Sequence, residues 1–354
     1  MLRWIIAVIA LWATYQVRMQ IPPFIAGAIL AYLLSGPITA LSRRAHLPRA
    51  LAVLIVYVVV LGSLGFGIYR LVPLIGDQSI ALINHRHDIV ENLVKQVDAA
   101  FGWNLDVQQI TAGILEKVQT FITEKPAELL EIGHYLTHSV FFLVVALVSS
   151  IYLVYEPQVV GGFLLRFVPE GKRQEVAKVA KEIDAKFSKY LIGQLLLVGI
   201  MSVLAYIILS LHHVRYALVI AVVTGILEII PMLGPIMALA LAAVIVISQL
   251  GVMAAAGIVG LLWMARLFED YVVIPRVIGH AVQIHPVVTI FAVIAGETLG
   301  GALGMLLAVP AAAAVKVIID HFYPQVAVVE AVNEPTFVDR SRALAARLMA
   351  WKRQ

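Results

Sequence analysis

The chain contains no cysteine among its 354 residues. That excludes disulfides and thiolate metal sites. Charge is also scarce: Asp, Glu, Lys and Arg make up 14% of the residues, against 61% hydrophobic ones, whereas a soluble domain carries roughly 25% charged residues. Mean hydropathy is +0.94. The sequence has no Walker loop, no dinucleotide fingerprint, no His-Glu-x-x-His and no Gly-x-Ser-x-Gly; Gly62-Ser63-Leu64-Gly65 does not fit the last of these. Nothing therefore points to ATP-driven transport or intramembrane hydrolysis. No enzyme activity, cofactor, metal site or nucleic-acid partner is expected.

What the chain has instead is long apolar runs. The stretch Ile229 to Ala265 is free of charge, far beyond the ~20 residues of one bilayer crossing. It is broken by Ile230-Pro231-Met232-Leu233-Gly234-Pro235, with Glu228 just before the break. The fold class is therefore all-α, a polytopic transmembrane helical protein.

Trp4 to Val17 reads as a retained first membrane helix, because no small-x-small cleavage site follows it. Phe24 to Leu41 and Ala50 to Tyr69 read as the next two spans. About Pro73 to His134 is a polar insertion with nine acids against four bases. Its apolar residues keep helical spacing at Val90, Val94, Val97 and Phe101, then at Ile110, Ile114, Val118 and Ile122. Ser139 to Tyr155 is a further span. Pro157 to Lys189 is basic, with Val176, Val179, Ile183 and Phe187 on one stripe, and reads as an interfacial helix. Tyr190 to Leu211 is the fifth span, and the tail from Pro324 is polar and ends in a basic amphipathic stretch.

Basic residues favour the cytoplasmic side of a membrane. Arg43, Arg44 and Arg49 then place the N-terminus inside, the acidic insertion outside and the basic segment inside. Six segments are expected: N-terminal membrane helices over 1–72, an extracytoplasmic amphipathic helical insertion over 73–134, a membrane helix over 135–156, a cytoplasmic basic amphipathic helix over 157–189, a transport core over 190–322 and a cytoplasmic tail over 323–354.

Two parts of the core carry helix breakers. Tyr216 to Ile230 and Pro235 to Gln249 are each about 22 Å long as helix, short of a ~30 Å hydrocarbon core. Val252 to Leu267 then crosses inward. From Val277 to Val315 the only formal charge is Glu297. His285-Pro286 opens a limb, the segment Gly296 to Gly304 interrupts it, and a second limb passes through Pro310. These patterns fit two helix hairpins, re-entrant or crossing, in an inverted repeat of the kind secondary transporters use.

Glu228 and Glu297 stand beside the two breaks. A carboxylate at membrane depth costs several kcal/mol unless protonated, paired or wet. Both are candidates for proton or cation coupling or for hydrogen bonding a polar solute. Pro231, Gly234 and Pro235 free backbone groups at the first bend. Gly296, Gly300 and Gly304 repeat at i+4 beside Gly301, a spacing that suits close helix packing as well as binding. Glu269 and Asp270 are expected to form a salt bridge with Arg276 near the cytoplasmic end. His285 and Pro286 fit the first turn of a helix. His85 and His87 lack supporting metal ligands.

Leu227-Glu228-Ile229-Ile230-Pro231-Met232-Leu233-Gly234-Pro235 resembles the signature of the autoinducer-2 exporter family of bacterial membrane proteins. So do Glu269 through Ile274-Pro275-Arg276-Val277-Ile278-Gly279, His285-Pro286-Val287-Val288, and Gly301-Ala302-Leu303-Gly304-Met305 through Pro310. Ala31-Tyr32-Leu33-Leu34 matches early on, so the likeness covers nearly the whole chain. The resemblance implies a multi-pass secondary transporter of the bacterial inner membrane with both termini cytoplasmic, in contact with lipid and homo-oligomeric. It implies export of a small polar metabolite or signal such as autoinducer-2, or exchange of sodium or lithium for protons, with H+ or Na+ as the coupling ion. Pro275, Arg276, Gly279, His285, Pro286 and Pro310 enter as gating or structural positions. The family more often has Gly where Glu297 stands and a bulky residue where Gly300 stands. That departure counts against Glu297 as a family-wide site and leaves it as a position that tunes solute choice in this chain. A membrane scaffold whose insertion binds partners is the alternative from a different class.

Overall fold

The computed structural model describes residues 20–123, 132–279 and 284–322. The expected first span and the polar tail lie outside the described residues. Within them the secondary structure is helical with no strand, as the all-α reading requires.

Helix α1 (Ile21–Arg44) opens with two prolines in its first turn, where a missing N–H costs nothing. It ends in Arg43 and Arg44, whose charges complement the helix dipole. Helix α2 (Arg49–Asn84) follows as one run of 36 residues, about 54 Å long. The helix therefore continues past Tyr69. Pro73 is housed inside the helix; it removes one ladder hydrogen bond, and the neighbouring turns hold the axis. The helix thus carries the chain from the apolar run into the polar insertion without a break.

Helices α3 (Arg86–Phe101) and α4 (Val107–Thr123) build the insertion. Gly102 takes a left-handed conformation and its N–H bonds Asp98 O at 2.7 Å, a glycine stop of the usual kind. Asp106 Oδ1 accepts the Gln109 N–H at 3.1 Å and caps the start of α4. Helix α5 (Ile132–Tyr155) returns and packs on α1 and α2. A Cβ on Gly27 would collide with Ala146 O and Ser149, so α1 and α5 meet at backbone distance. Tyr57 donates to Ser150 Oγ at 2.7 Å, and Arg49 donates to Val154 O at 2.7 Å. Ile38, Ala52, Val53, Val56 and Val154 fill the space between these three helices.

After the short α6 (Pro157–Leu165), α7 runs from Arg173 to Leu211. The basic amphipathic segment and the fifth span are therefore one helix of 39 residues. No breaker separates them, because Lys189 passes directly into Tyr190. The predicted stripe of Val176, Val179, Ile183 and Phe187 is buried or half-buried. Phe187 meets the Tyr32 ring, and Tyr32 donates to Asp184 Oδ1 at 2.7 Å.

Helix α8 (Ala217–Leu227) is only 11 residues long, about 16 Å. Next comes α9 (Leu233–Phe268), divided at Gly251, where φ is +81° and ψ is 168°. Ala242, Ile245 and Val246 before that glycine share one core with Ala255, Ile258 and Leu262 after it. Residues from both sides of Gly251 thus pack together, as the two limbs of a helical hairpin do. Its limbs, 233–250 and 252–268, are about 27 and 25 Å long. A π-helical turn over Glu269–Val273 and the short α10 (Ile274–Val277) close this section.

Helix α11 (Pro286–Phe322) is likewise two limbs, broken at Gly300 and Gly301. Gly301 has φ +56° and ψ −137°, a conformation that suits glycine. A Cβ on Gly296 would overlap Gly304 O, and one on Gly304 would overlap Gly296 O. The two limbs therefore lie backbone to backbone at Gly296 and Gly304, which serve close packing, whereas a Cβ on Gly300 would meet nothing. The second limb meets α7 around Tyr190, Leu191 and Leu197 through Val309. His321 Nε2 lies 3.0 Å from Glu175 Oε1 at its far end.

Candidate functional site

The turn between α8 and α9 is tight. The Gly234 N–H bonds Ile230 O at 2.9 Å and the Leu233 N–H bonds Pro231 O at 2.8 Å. A Cβ on Gly234 would collide with Leu227 O, so only glycine fits there. Met232 is held at φ +68°, a sparsely populated conformation for a residue with a side chain. Backbone groups of Pro231 and Gly234 are thus spent on the turn itself. Its product is the position of Glu228, which is 4% exposed.

Glu228 is met by Arg266, near the end of the second α9 limb. Arg266 Nη1 donates to Glu228 Oε1 at 2.5 Å and to Glu269 Oε2 at 2.9 Å. Nη2 reaches Asp270 Oδ1 at 2.7 Å, and Nε donates to Asp270 Oδ2 at 3.2 Å. All three guanidinium nitrogens are committed, each to a carboxylate. Glu269 is fully buried. Glu228 Oε2 and Glu269 Oε1 are buried and have no hydrogen-bond partner among the described residues. Three carboxylates thus face one guanidinium, so ionisation of all three would leave net negative charge beside it.

Helix α7 supplies the second layer. Gln194 Nε2 donates to Glu228 O at 2.8 Å. Tyr190, one turn earlier, has a buried hydroxyl without a hydrogen-bond partner among the described residues. Gly225 permits the close approach: a Cβ there would collide with Ser202 Oγ and Val198 O. Gln194 stands five residues after Lys189, about 7 Å along the axis, and 17 residues before Leu211, about 26 Å. The opposite end of the bundle is fixed where the Arg215 N–H bonds Gln249 Oε1 at 2.8 Å and Gln96 of α3 abuts Gly251.

Beside the cluster lies a small, half-open cleft of about 30 Å3. Met201 of α7, with Thr224 and Glu228, forms one side. Pro235, Ala238 and Leu239 of the first α9 limb face Leu262, Trp263 and Arg266 of the second.

The other expected site residues are distributed as follows. Glu269 and Asp270 do form an ion-pair cluster, but with Arg266 and not with Arg276. Arg276 is exposed and has no ion pair among the described residues. Positions 266, 269 and 270 are i, i+3 and i+4 neighbours, which face one another on a helix, whereas 276 lies two turns away. Arg266 was the functional candidate missing from the sequence reading, and that spacing was the signal for it. Glu297 is exposed on the hairpin of α11, near its tip with Gly300 and Gly301. Neither Glu297 nor Gly296, Gly301 or Gly304 lines the cleft. Pro275 starts α10, and Gly279 adopts φ +60° beside Lys189 Nζ. His285 O accepts the Val288 and Thr289 N–H groups, and Pro286 begins α11, so both serve a helix start. Pro310 is fully buried within the second limb. No cluster of metal-ligating side chains occurs among the described residues.

Five helical stretches among the described residues are long and apolar enough to cross a membrane. With the divided helices of the core, they define a multi-pass helical membrane protein. Residues 4–323 match the family described as AI-2E family transporter, and the chain belongs to that family. It is 27% identical over 314 residues to YrrI of Bacillus subtilis (strain 168), covering 85% of this chain and 86% of that protein. To MT0215 of Mycobacterium tuberculosis (strain CDC 1551 / Oshkosh) it is 28% identical over 312 residues, covering 86% and 83%. YueF of Bacillus subtilis (strain 168) is 27% identical over 308 residues, covering 83% and 82%. The names of these relatives assign them to transport by inference and specify no solute. Membership of the family supports a membrane-transporter role.

Proposed function

We propose that the protein is a secondary-active transporter of the bacterial inner membrane that works by alternating access. Its coupling ion is H+ or Na+, and Glu228, in the cluster with Glu269 and Asp270, is the residue that takes up and releases a proton. The observation behind this reading is the charge balance: one guanidinium faces three carboxylates, two of which have a buried oxygen with no hydrogen-bond partner among the described residues. Burying unpaired charge is costly, so the cluster favours uptake of a proton or a cation. A site that must be neutralised to close and charged to open gives a coupling device.

With the basic part of α7 on the cytoplasmic side, Glu228 sits about one helical turn inside the membrane from Lys189. The cluster then lies near the inner end of the bilayer and not at its midplane. The pair of α8 and the first α9 limb nearly crosses the bilayer from outside. The α11 hairpin, rising about 12 Å from Val309 to its tip, enters from inside and stops near mid-depth. The inverted arrangement of the two breaks supports alternating access in which the α9 hairpin rocks against α7 and α11.

Export of a small polar metabolite or signal is the transport reaction we place on this machinery, with sodium or lithium exchange for protons as the second reading. The charge cluster favours ion exchange as at least one half of the cycle. The test is reconstitution into liposomes with an internal pH dye, imposing sodium, lithium or solute gradients in turn. Coupled proton flux supports the proposal. A folded, oriented protein with no flux under any gradient leaves the scaffold reading instead.

A further inference from the structure

Glu228 is held from two sides. Its backbone belongs with α7: Gln194 Nε2 donates to Glu228 O at 2.8 Å. Gly225, three residues earlier, lies so close to α7 that a Cβ would collide with Val198 O and Ser202 Oγ. Its side chain belongs with the second limb of α9, where Arg266 Nη1 holds Oε1. A movement of that limb away from α7 therefore removes Arg266 and leaves Glu228 behind.

A carboxylate without its guanidinium inside the bilayer is costly and needs another donor. Helix α7 carries one. Tyr190 precedes Gln194 by four residues, which puts both on one helix face, the face that meets Glu228. Tyr190 is 3% exposed, and it packs in one core with Val273, Ile278 and Val309. Its hydroxyl has no hydrogen-bond partner among the described residues, and neither has Glu228 Oε2. The two groups are near enough for the charge of Glu228 to act on the phenol. The other donors of this face are occupied, Gln194 Nε2 by Glu228 O and Ser202 Oγ by Val198 O. A buried hydroxyl without a partner costs free energy, and phenylalanine would fill the same space without that cost.

We infer that Tyr190 is a positioning residue for the coupling step: its hydroxyl donates to the Glu228 carboxylate when Arg266 withdraws, so Glu228 passes from one partner to the other within the cycle. This rests on the proposed role of Glu228 in proton uptake and release, and adds the group that holds its carboxylate in the second state. Among the described residues, the charged or titratable groups around Glu228 are Arg266 of the second α9 limb, Glu269 and Asp270 of the π-helical turn, and Tyr190 of α7. Helix α8 and the first α9 limb present Thr224, Pro235 and Ala238 there, which carry no charge.

The test compares full-length wild type, Tyr190→Phe and Tyr57→Phe. Tyr57 is the control, because its hydroxyl already donates to Ser150 Oγ between α2 and α5. Tyr190→Phe removes a hydroxyl that bonds nothing in this state, so the unfolding temperature should not fall. The carboxylate loses a donor in the second state, so the pH profile of sodium-driven proton flux should move to higher pH by about one unit, the worth of one hydrogen bond to a charged group. Tyr57→Phe should lower the unfolding temperature and leave the profile in place. Infrared difference spectra through the same pH range follow the carboxyl band that Glu228→Gln removes, and so report Glu228 without any flux. The midpoint of that band should move in Tyr190→Phe in the same direction. An unchanged profile and an unchanged band in Tyr190→Phe, or a lowered unfolding temperature as its one effect, would overturn the inference. A wild type without coupled flux, in which Tyr190→Phe still shifts the band, would support the Tyr190–Glu228 contact and sink the proposed function.

Discussion

Arg266 and Glu228 are 38 positions apart in sequence and 2.5 Å apart in space. The contact joins the tip of one helix turn to the end of the following hairpin, so the two breaks in the apolar run are coupled through one ion pair. Because Arg266 also holds Glu269 and Asp270, removing it exposes three carboxylates to one another. Arg266→Gln should destabilise the detergent-solubilised protein by about 3–5 kcal/mol, read as a lowered unfolding temperature. The double variant Arg266→Gln with Glu228→Gln should recover part of that loss. Equal stability of wild type and Arg266→Gln would mean that the pair does not form.

The contact between Gly296 and Gly304 gives a second prediction. Each residue leaves no room for a methyl group against the other's carbonyl. Gly296→Ala and Gly304→Ala should each cost about 1–3 kcal/mol, as overpacking does, and should splay the α11 hairpin. Gly62, where a Cβ meets nothing within 4 Å, is the control: Gly62→Ala should leave the unfolding temperature unchanged or slightly raised, since alanine is the better helix former. Matching losses at Gly62 and Gly296 would remove the packing argument.

The same logic applies at Gly251, whose φ of +81° reverses the chain between the limbs of α9. Gly251→Ala should cost about 1–3 kcal/mol in backbone strain. It should also slow any transport cycle in which the limbs separate. Thermal unfolding measures the first effect and initial flux in proteoliposomes the second. A variant indistinguishable from wild type in both would place the turn elsewhere.

A cysteine-free chain makes sidedness directly measurable. Asn84 ends α2 at an exposed position and Lys181 is exposed on α7. Asn84→Cys should react with a membrane-impermeant maleimide added to intact cells, and Lys181→Cys only after the membrane is opened. The reverse pattern would invert the proposed topology and place the cluster near the outer surface.

Much of this arrangement could be read from residue spacing. Glu228 stood out because it is a lone acid beside Pro231, Gly234 and Pro235, and the break at Gly296–Gly304 lay where the chain folds back. Helix continuity was less legible. Pro73 and the passage from Lys189 to Tyr190 look like boundaries in composition, but a helix continues through a change of solvent as long as its backbone bonds are satisfied. Arg266 was hidden for another reason. It ends a charge-free run, and its role depends on a turn at Gly251 that brings position 266 level with position 228. Sequence proximity suggested Arg276 instead, and helical geometry places that side chain two turns too far.

The central claim is that coupling resides at Glu228 and not at Glu297, the acid beside the other helix break. The measurement that tests it most directly is sodium-driven proton flux in proteoliposomes for wild type, Glu228→Gln and Glu297→Gln. Glu228 is buried against Arg266, whereas Glu297 is exposed near the tip of the α11 hairpin, away from the cleft. Glu228→Gln should lower flux about tenfold or more, as loss of more than ~1.4 kcal/mol of coupling requires, while Glu297→Gln stays within about twofold of wild type. Full flux in Glu228→Gln, or flux lost only in Glu297→Gln, would contradict the account.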